Sequence, residues 1–385
     1  MDDFKGKISE EILNSLIMQN NMETNSSISN GMQNPGHLRS FNMNDDVNWI
    51  DISGDWDARQ KHSLTFIDLF SGAGGISSGF EMAGYKGIYG LDNYDAAVKT
   101  YSKNFDHPIF NGDILQKKVK QNFIRHVHKS LDGRRVNVMT GGFPCQGFSL
   151  AGNRVVTDPR NSLYVDMLEI VDELKPDFVV MENVVGLRSM LGGKVELSII
   201  NDYERKGYEV NVTTLNSADY HVPQKRKRVI FIANRIGAIN YHPEPLLQEK
   251  DYRTIRSAIE DLMHEEENVE FNHVFTKHSG EMKKRIGAVK EGSSLYSNYS
   301  DSWKKSPWER PSSTIKENHG GVNLHPRISR TLTAREMARI QSFPDHFIFE
   351  GSKSKQLVQI GNAVPPLMAK AIGLAIRKTH DQKYQ

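Results

Sequence analysis

Apolar positions along this chain recur with two periods, and the alternation between them predicts the fold. Leu64–Phe70 is an apolar run broken only by Asp68; a glycine-rich turn and a helical stretch over Ile76–Ala83 come next. Gly87–Leu91 reads as a second strand with Asp92 at its end, and Val136–Thr140 as a third that runs into Gly141-Gly142. Leu163, Met167, Leu168, Val171 and Leu174 then repeat at helical spacing until Pro176 stops the helix. Phe178–Met181 is a continuous apolar run ending at Glu182, the pattern of a parallel strand buried on both faces. Tyr208–Leu215 and Val229–Ala233 are later strands.

Beyond Asn234 the rhythm fades into a stretch rich in His, Ser, Lys, Asn and aromatics. It resumes at Thr331–Ile340 and in a last helix over Leu367–Arg377. At the other end, Ile8, Ile12, Leu13, Leu16 and Ile17 share one helical face, and residues 19–44 are polar and aperiodic, as in a tether. The expected organisation is an N-terminal extension over 1–60, an α/β domain over 61–234 and 327–385, and a smaller inserted domain over 235–326.

Composition adds limits. A chain of 385 residues has room for one large and one small domain. With 38% hydrophobic and 25% charged residues it reads as an ordinary globular protein. It has no apolar run long enough to span a bilayer and no basic-then-apolar leader, so a cytoplasmic location without membrane contact is expected. Net charge is only +2, yet Lys225–Arg228, Lys283-Lys284-Arg285 and Lys304-Lys305 form local basic groups suited to phosphates. The single cysteine excludes an internal disulfide framework and a multi-cysteine metal site, and no metal is expected.

In open α/β sheets ligands bind beyond the carboxyl ends of the strands, so the residues just past each strand are where chemistry is sought. After the first strand, Phe70-Ser71-Gly72-Ala73-Gly74-Gly75 offers a tight turn at a helix N-terminus. Asp92 ends the second strand at the separation typical of a ribose-binding acid, and Asp113 comes at the next strand end. The three together point to an adenosine-containing cofactor, and the lack of a GxxxxGK[ST] loop argues against a nucleoside triphosphate. A lone cysteine is ordinarily a small buried hydrophobe. Cys145, however, comes directly after a strand, in a loop stiffened by Pro144 and flanked by glycines, which suits an exposed nucleophile. Glu182 ends the next apolar run, where an acid is paired, protonated or functional.

Taken in chain order, FIDLFSGAGG, Asp92, NGDI, GGFPCQGFS, MENV, QKRKR, RTLTAREMARIQSFP and QIGNAVPP resemble the bacterial-type DNA (cytosine-5)-methyltransferase family. The resemblance runs over residues 64–373 and leaves 235–325 unmatched. It implies a Rossmann-like methyltransferase domain dependent on S-adenosylmethionine, facing a smaller inserted target-recognition domain across a DNA cleft. It also implies a catalytic set of Cys145 as nucleophile, Glu182 at cytosine N3, and Arg226 and Arg228. The implied cofactor set is Phe70, Gly72, Ala73, Gly75, Asp92, Asn93, Asp113, Ile114, Pro144, Leu163, Asn362 and Val364. Candidate DNA contacts are Gln146, Ser149, Arg154, Gln224, Lys283, Lys284, Arg285, Lys304 and Lys305. Two departures stand out. Asp92-Asn93 replaces the family's usual glutamate and a common adenine-stacking aromatic, and Asn161-Ser162 precedes Leu163 where many relatives have Arg-Gly.

Cytosine C5 needs activation, which thiolate addition at C6 provides, balanced by a proton or hydrogen bond at N3. The base must also leave the stack. The expected partner is therefore duplex DNA, with a cognate restriction endonuclease linked in function but not physically, and a monomeric chain. The alternatives are a tRNA cytosine-5 methyltransferase of the same architecture and a catalytically inactive DNA-binding relative.

Overall fold

The computed structural model describes residues 47–51, 64–144, 163–297, 303–316 and 323–384. The predicted N-terminal helix and tether, Cys145 and the DNA candidates Gln146, Ser149 and Arg154 lie outside the described residues.

In chain order the elements are β1 (Asn48–Ile50), β2 (Thr65–Leu69), α1 (Gly75–Met82), β3 (Lys86–Asp92), α2 (Asp95–Asn104), β4 (Ile109–Asn111), α3 (Lys117–Leu131) and β5 (Val138–Gly141). Then come α4 (Leu163–Leu174), β6 (Phe178–Val184), α5 (Lys194–Glu204), β7 (Glu209–Asn216), β8 (Gln224–Lys225), β9 (Lys227–Asn234) and β10 (Tyr241–Pro243). The remainder are α6 (Ile255–Ile259), α7 (Gly280–Ala288), β11 (Lys304–Lys305), β12 (Ser312–Ser313), β13 (Asn323–Leu324), α8 (Ala334–Ile340), α9 (Lys353–Asn362) and α10 (Pro366–Tyr384).

Seven strands form one sheet in the order β4-β3-β2-β5-β6-β9-β7. β4, β3, β2, β5 and β6 are mutually parallel, while β9 runs antiparallel to both β6 and β7. The apolar runs read from the sequence are its central strands. Their side chains are buried because helices cover both faces: Phe123, Met167, Ile170, Ile199 and Tyr203 pack on one, Ile76, Phe80, Met368 and Ile372 on the other. The strand order turns back between β2 and β5, and the loops after these strands flank the crevice where α/β sheets bind ligands.

The structure redraws three boundaries. β6 continues through Glu182 to Val184, so this acid lies within the strand and faces β9 rather than ending the run. Residues 47–51, placed by sequence in the extension, contribute β1, which pairs with β10 beside α10. Trp49 and Ile50 join the core on that face. Residues 241–243 therefore pack with the α/β domain although the sequence pattern assigns them to the insert. The inserted segment has its own apolar centre of Ile255, Ile259, Trp308 and Ile315, continuous through Met337 and Phe347 with Tyr101 and Phe105.

Candidate active site

Strand register brings the candidate groups to one sheet edge. Leu69 pairs with Gly141, and Gly141 with Met181, so the turn after β2, the loop after β5 and Glu182 of β6 are neighbours. Because β9 is antiparallel, its beginning lies beside the end of β6, with Arg228 opposite Val184. Arg228 Nε stands 2.8 Å from Glu182 Oε1, each side chain 13% exposed. A Cβ added to Gly142 would lie 3.2 Å from Glu182 Oε2, so the carboxylate sits against the loop that leads into Cys145. Asn183 fixes that loop: its Nδ2 donates to the Phe143 carbonyl at 3.0 Å, and its Oδ1 accepts from the Val184 N–H at 2.9 Å.

Arg226 is turned inward. It is 2% exposed, with Nη1 donating to the Ile315 carbonyl at 3.0 Å and Nη2 reaching the Asn362 carbonyl at 3.5 Å. Its Nε has no hydrogen-bond partner among the described residues. Burial, then the nearby Arg228, pushes its guanidinium well below the ordinary value, while Glu182 pulls the other way. Arg226 thus ties the inserted segment and the C-terminal motif to β8–β9, whereas Arg228 is the arginine that meets the acid.

The turn after β2 divides its glycines between two tasks. Gly75 serves packing, since a Cβ there would meet the Val364 carbonyl oxygen at 2.2 Å. Gly72, at φ +54°, faces open space. Its N–H donates to Asp92 Oδ2 at 2.8 Å, and Tyr94 N–H donates to Asp92 Oδ1 at 2.8 Å. Burial raises the Asp92 carboxyl and the backbone donors at Tyr94, Gly72 and Asn93 oppose the rise. A carboxylate so anchored keeps lone pairs for two hydroxyls, and the open side of Gly72 admits a ligand backbone, so these residues fit an adenosyl cofactor.

A sequence profile described as C-5 cytosine-specific DNA methylase matches residues 64–378. The chain belongs to that family. It is 39% identical over 332 residues to the Type II methyltransferase M1.HphI of Haemophilus parahaemolyticus, covering 82% of this chain and 87% of the relative. It is 34% identical over 368 residues to the Type II methyltransferase M.DdeI of Desulfomicrobium norvegicum, covering 80% and 87%. Among solved structures, the Entamoeba histolytica methyltransferase EhMeth shares the fold at a TM-score of 0.59 and 18% identity, over 83% of this chain and 99% of that one.

Several candidates named from sequence are brought to this edge and others are not. Phe70, at φ +54°, and Ala73 lie in the turn, Val364 closes it from the C-terminal side with Asn362 two residues before it at the end of α9, and Pro144 comes just after β5. Leu163 opens α4, and Ile114 and Leu163 are both buried in the core on one face of the sheet. Asp113 lies two residues past β4, where its Oδ1 caps the Leu115 N–H at 3.0 Å. The expected DNA contact at Gln224 is corrected: the side chain is fully buried, donating to Gln341 Oε1 and accepting from the Ile315 N–H, both at 2.7 Å. Lys305 is corrected likewise, because its Nζ turns inward to the Ile286 carbonyl at 2.9 Å. Lys283, Lys284 and Arg285 are exposed on α7, and Lys304 is half-buried. Sequence reading missed the support given by Asn183 and Gln341; only the polar break at Asp68 in an apolar strand signalled a buried polar device.

Proposed function

We propose that this chain transfers the methyl group of S-adenosylmethionine to C5 of a flipped-out cytosine in a specific duplex sequence. The carrying observation is the Glu182–Arg228 pair set against the loop that leads into Cys145, one strand from the cofactor-type turn at Gly72. Phe70, Gly72, Ala73, Gly75, Asp92, Asn93, Asp113, Ile114, Pro144, Leu163, Asn362 and Val364 would hold the cofactor, which when bound would supply an electrophilic methyl group. Asp92 would accept hydrogen bonds from the ribose hydroxyls.

The Cys145 thiolate adds to C6 and makes C5 nucleophilic. Carrying a proton on Oε2, Glu182 gives a hydrogen bond or that proton to N3 as charge develops there, while Arg228 holds the carboxyl through Oε1 and faces the O2 edge. After transfer, water takes the C5 proton, the freed electron pair re-forms the C5–C6 double bond, and Cys145 leaves as thiolate. Extruding the base costs roughly a few kcal/mol, which contacts to the phosphates offset. Beside β8 the inserted segment forms a cleft of about 800 Å³, lined by Lys225, Lys250, Arg310 and Lys316, by Ser312, Ser313 and Thr314, and by the carboxylates Glu249, which pairs with Lys225, and Glu309. Its cations and hydroxyls suit a DNA backbone.

The Type II relatives support a role as the modification partner of a restriction endonuclease, joined by a shared target sequence rather than by contact. A monomer working in the cytoplasm suits that task. Duplex DNA carrying 5-fluorocytosine at the target tests the reading, since it blocks the last proton loss. A covalent adduct that needs both Cys145 and S-adenosylmethionine is expected; none from the unaltered chain would refute the mechanism.

A further inference from the structure

Asp68 is a fully buried carboxylate in the middle of an apolar strand, and no step of the methyl transfer uses it. Its two oxygens bind two different elements. Oδ1 accepts from the Thr140 hydroxyl of β5 at 2.5 Å, and Oδ2 accepts from the Ser77 hydroxyl in the first turn of α1 at 2.6 Å. Asp68 and Thr140 are register partners, so the carboxylate spans the strands whose ends carry the cofactor turn and the loop leading to Cys145. From Ser77 the chain of polar groups continues to the Tyr101 hydroxyl at 2.8 Å and from there to His107 Nε2 at 2.7 Å. His107 Nδ1 ends it 3.2 Å from Glu81 Oε1, on a side chain 41% exposed.

Resting on the methyltransferase reading, we propose that Asp68 is a positioning residue that clamps the cofactor turn to the nucleophile loop, and that a hydroxyl relay to the surface lets pH set the strength of the clamp. The relay has two satisfied proton arrangements. With Asp68 ionised, Thr140 and Ser77 both donate to it, Tyr101 donates to Ser77, and His107 donates from Nε2 to Tyr101 with no proton on Nδ1. With the proton on Asp68, the carboxyl donates to Ser77, Ser77 to Tyr101 and Tyr101 to His107 Nε2, leaving neutral His107 to donate from Nδ1 to Glu81. The second arrangement holds one more proton, taken up at His107 Nδ1 beside exposed Glu81 and passed along the relay, and no bond of the relay is lost, but the charge-assisted grip on both elements exists only in the ionised state.

The groups facing Asp68 are consistent with titration in a working range. Burial pushes its carboxyl up to about 6 against the pull of Ser77, Thr140 and His107, and Asp92 on β3 adds to the rise. Asp92 is itself the acid held by the Gly72 N–H, so the clamp and the ribose acceptor share one field.

Calorimetric titration of S-adenosylmethionine into the free protein from pH 5 to 8 tests this without turnover. A group titrating near 6 is ionised in about one molecule in eleven at pH 5, so the Kd is expected to weaken about tenfold from pH 8 to pH 5. Asp68→Asn keeps an acceptor for Thr140 and a donor for Ser77 and so imitates the protonated carboxyl. Its Kd is expected to be flat with pH and to equal the acid-limb value of the unaltered protein. Thr140→Val, which removes one arm of the clamp, should also weaken binding at pH 8. A pH-independent Kd in the unaltered protein overturns the proposal, as does tight binding at pH 8 by a folded Asp68→Asn or Thr140→Val variant. Absence of any cofactor binding at any pH would instead sink the methyltransferase reading and this inference with it.

Discussion

Arg228 reaches Glu182 across two antiparallel strands, Nε to Oε1 at 2.8 Å, because β9 starts where β6 ends. Reversal of that one strand delivers a cation to the acid beside the nucleophile loop; a parallel β9 would carry its first residues to the opposite edge. The pair is expected to act in the transition state rather than in binding. Glu182→Gln should lower kcat roughly 10²- to 10⁴-fold, the usual range for a general acid, with DNA affinity kept. Single-turnover methylation together with a DNA-binding titration checks this; a variant that loses affinity but turns over normally would show a binding role only.

The two tasks of the glycine turn separate by substitution. Gly75→Ala forces a Cβ onto the Val364 carbonyl at 2.2 Å and should cost about 1–3 kcal/mol of stability through overpacking. Gly72→Ala meets no atom of the described residues but places a side chain at φ +54°, a strain of about 1–2 kcal/mol, on the open side of the turn. Its larger effect should be on the Kd for S-adenosylmethionine. Thermal melts and calorimetry on both variants distinguish packing from ligand approach.

Acid stability should depend on histidines buried without charge. Burial lowers His242 to about 3 and, with smaller charge effects, His325 to about 4. The unfolded chain takes up protons at these sites below its ordinary value of 6.5, and the native state does not until lower pH. Each site therefore costs stability as pH falls from 6.5 toward its folded value and contributes nothing above 6.5. The slope is about 1.4 kcal/mol per pH unit per proton. His242→Phe should flatten the pH dependence of chemical unfolding by that amount between pH 6 and 4; an unchanged slope contradicts the assignment.

Phosphate contact in the cleft beside β8 should appear as salt dependence. Arg310 is exposed on its wall, and Arg310→Ala should weaken binding to all duplexes alike and reduce the salt slope by about one. A loss confined to one sequence would mean that Arg310 reads bases.

Much of the fold and site is legible in the sequence because parallel strands write themselves as apolar runs and their ends carry function. Asp92 and Cys145 stand at or just past the end of such a run, and Glu182 follows the last apolar residue of one although its strand continues to Val184. The antiparallel course of β9 is not legible, since Val229–Ala233 is apolar in either direction. Gln224 and Lys305 mislead because polar residue types name a surface, whereas Gln224 satisfies both ends of its amide internally and Lys305 buries its ammonium on a carbonyl. β1 escapes because three residues pairing across nearly two hundred positions of chain leave no local period.

The central claim is tested most directly by incubating the purified chain with S-adenosylmethionine bearing a labelled methyl group and mixed duplex DNA and tRNA, then bisulfite-sequencing the DNA. Label is expected in DNA, at C5 of cytosine within one short sequence, abolished by Cys145→Ser. Label in tRNA alone, on another base atom, or undiminished in Cys145→Ser would contradict it.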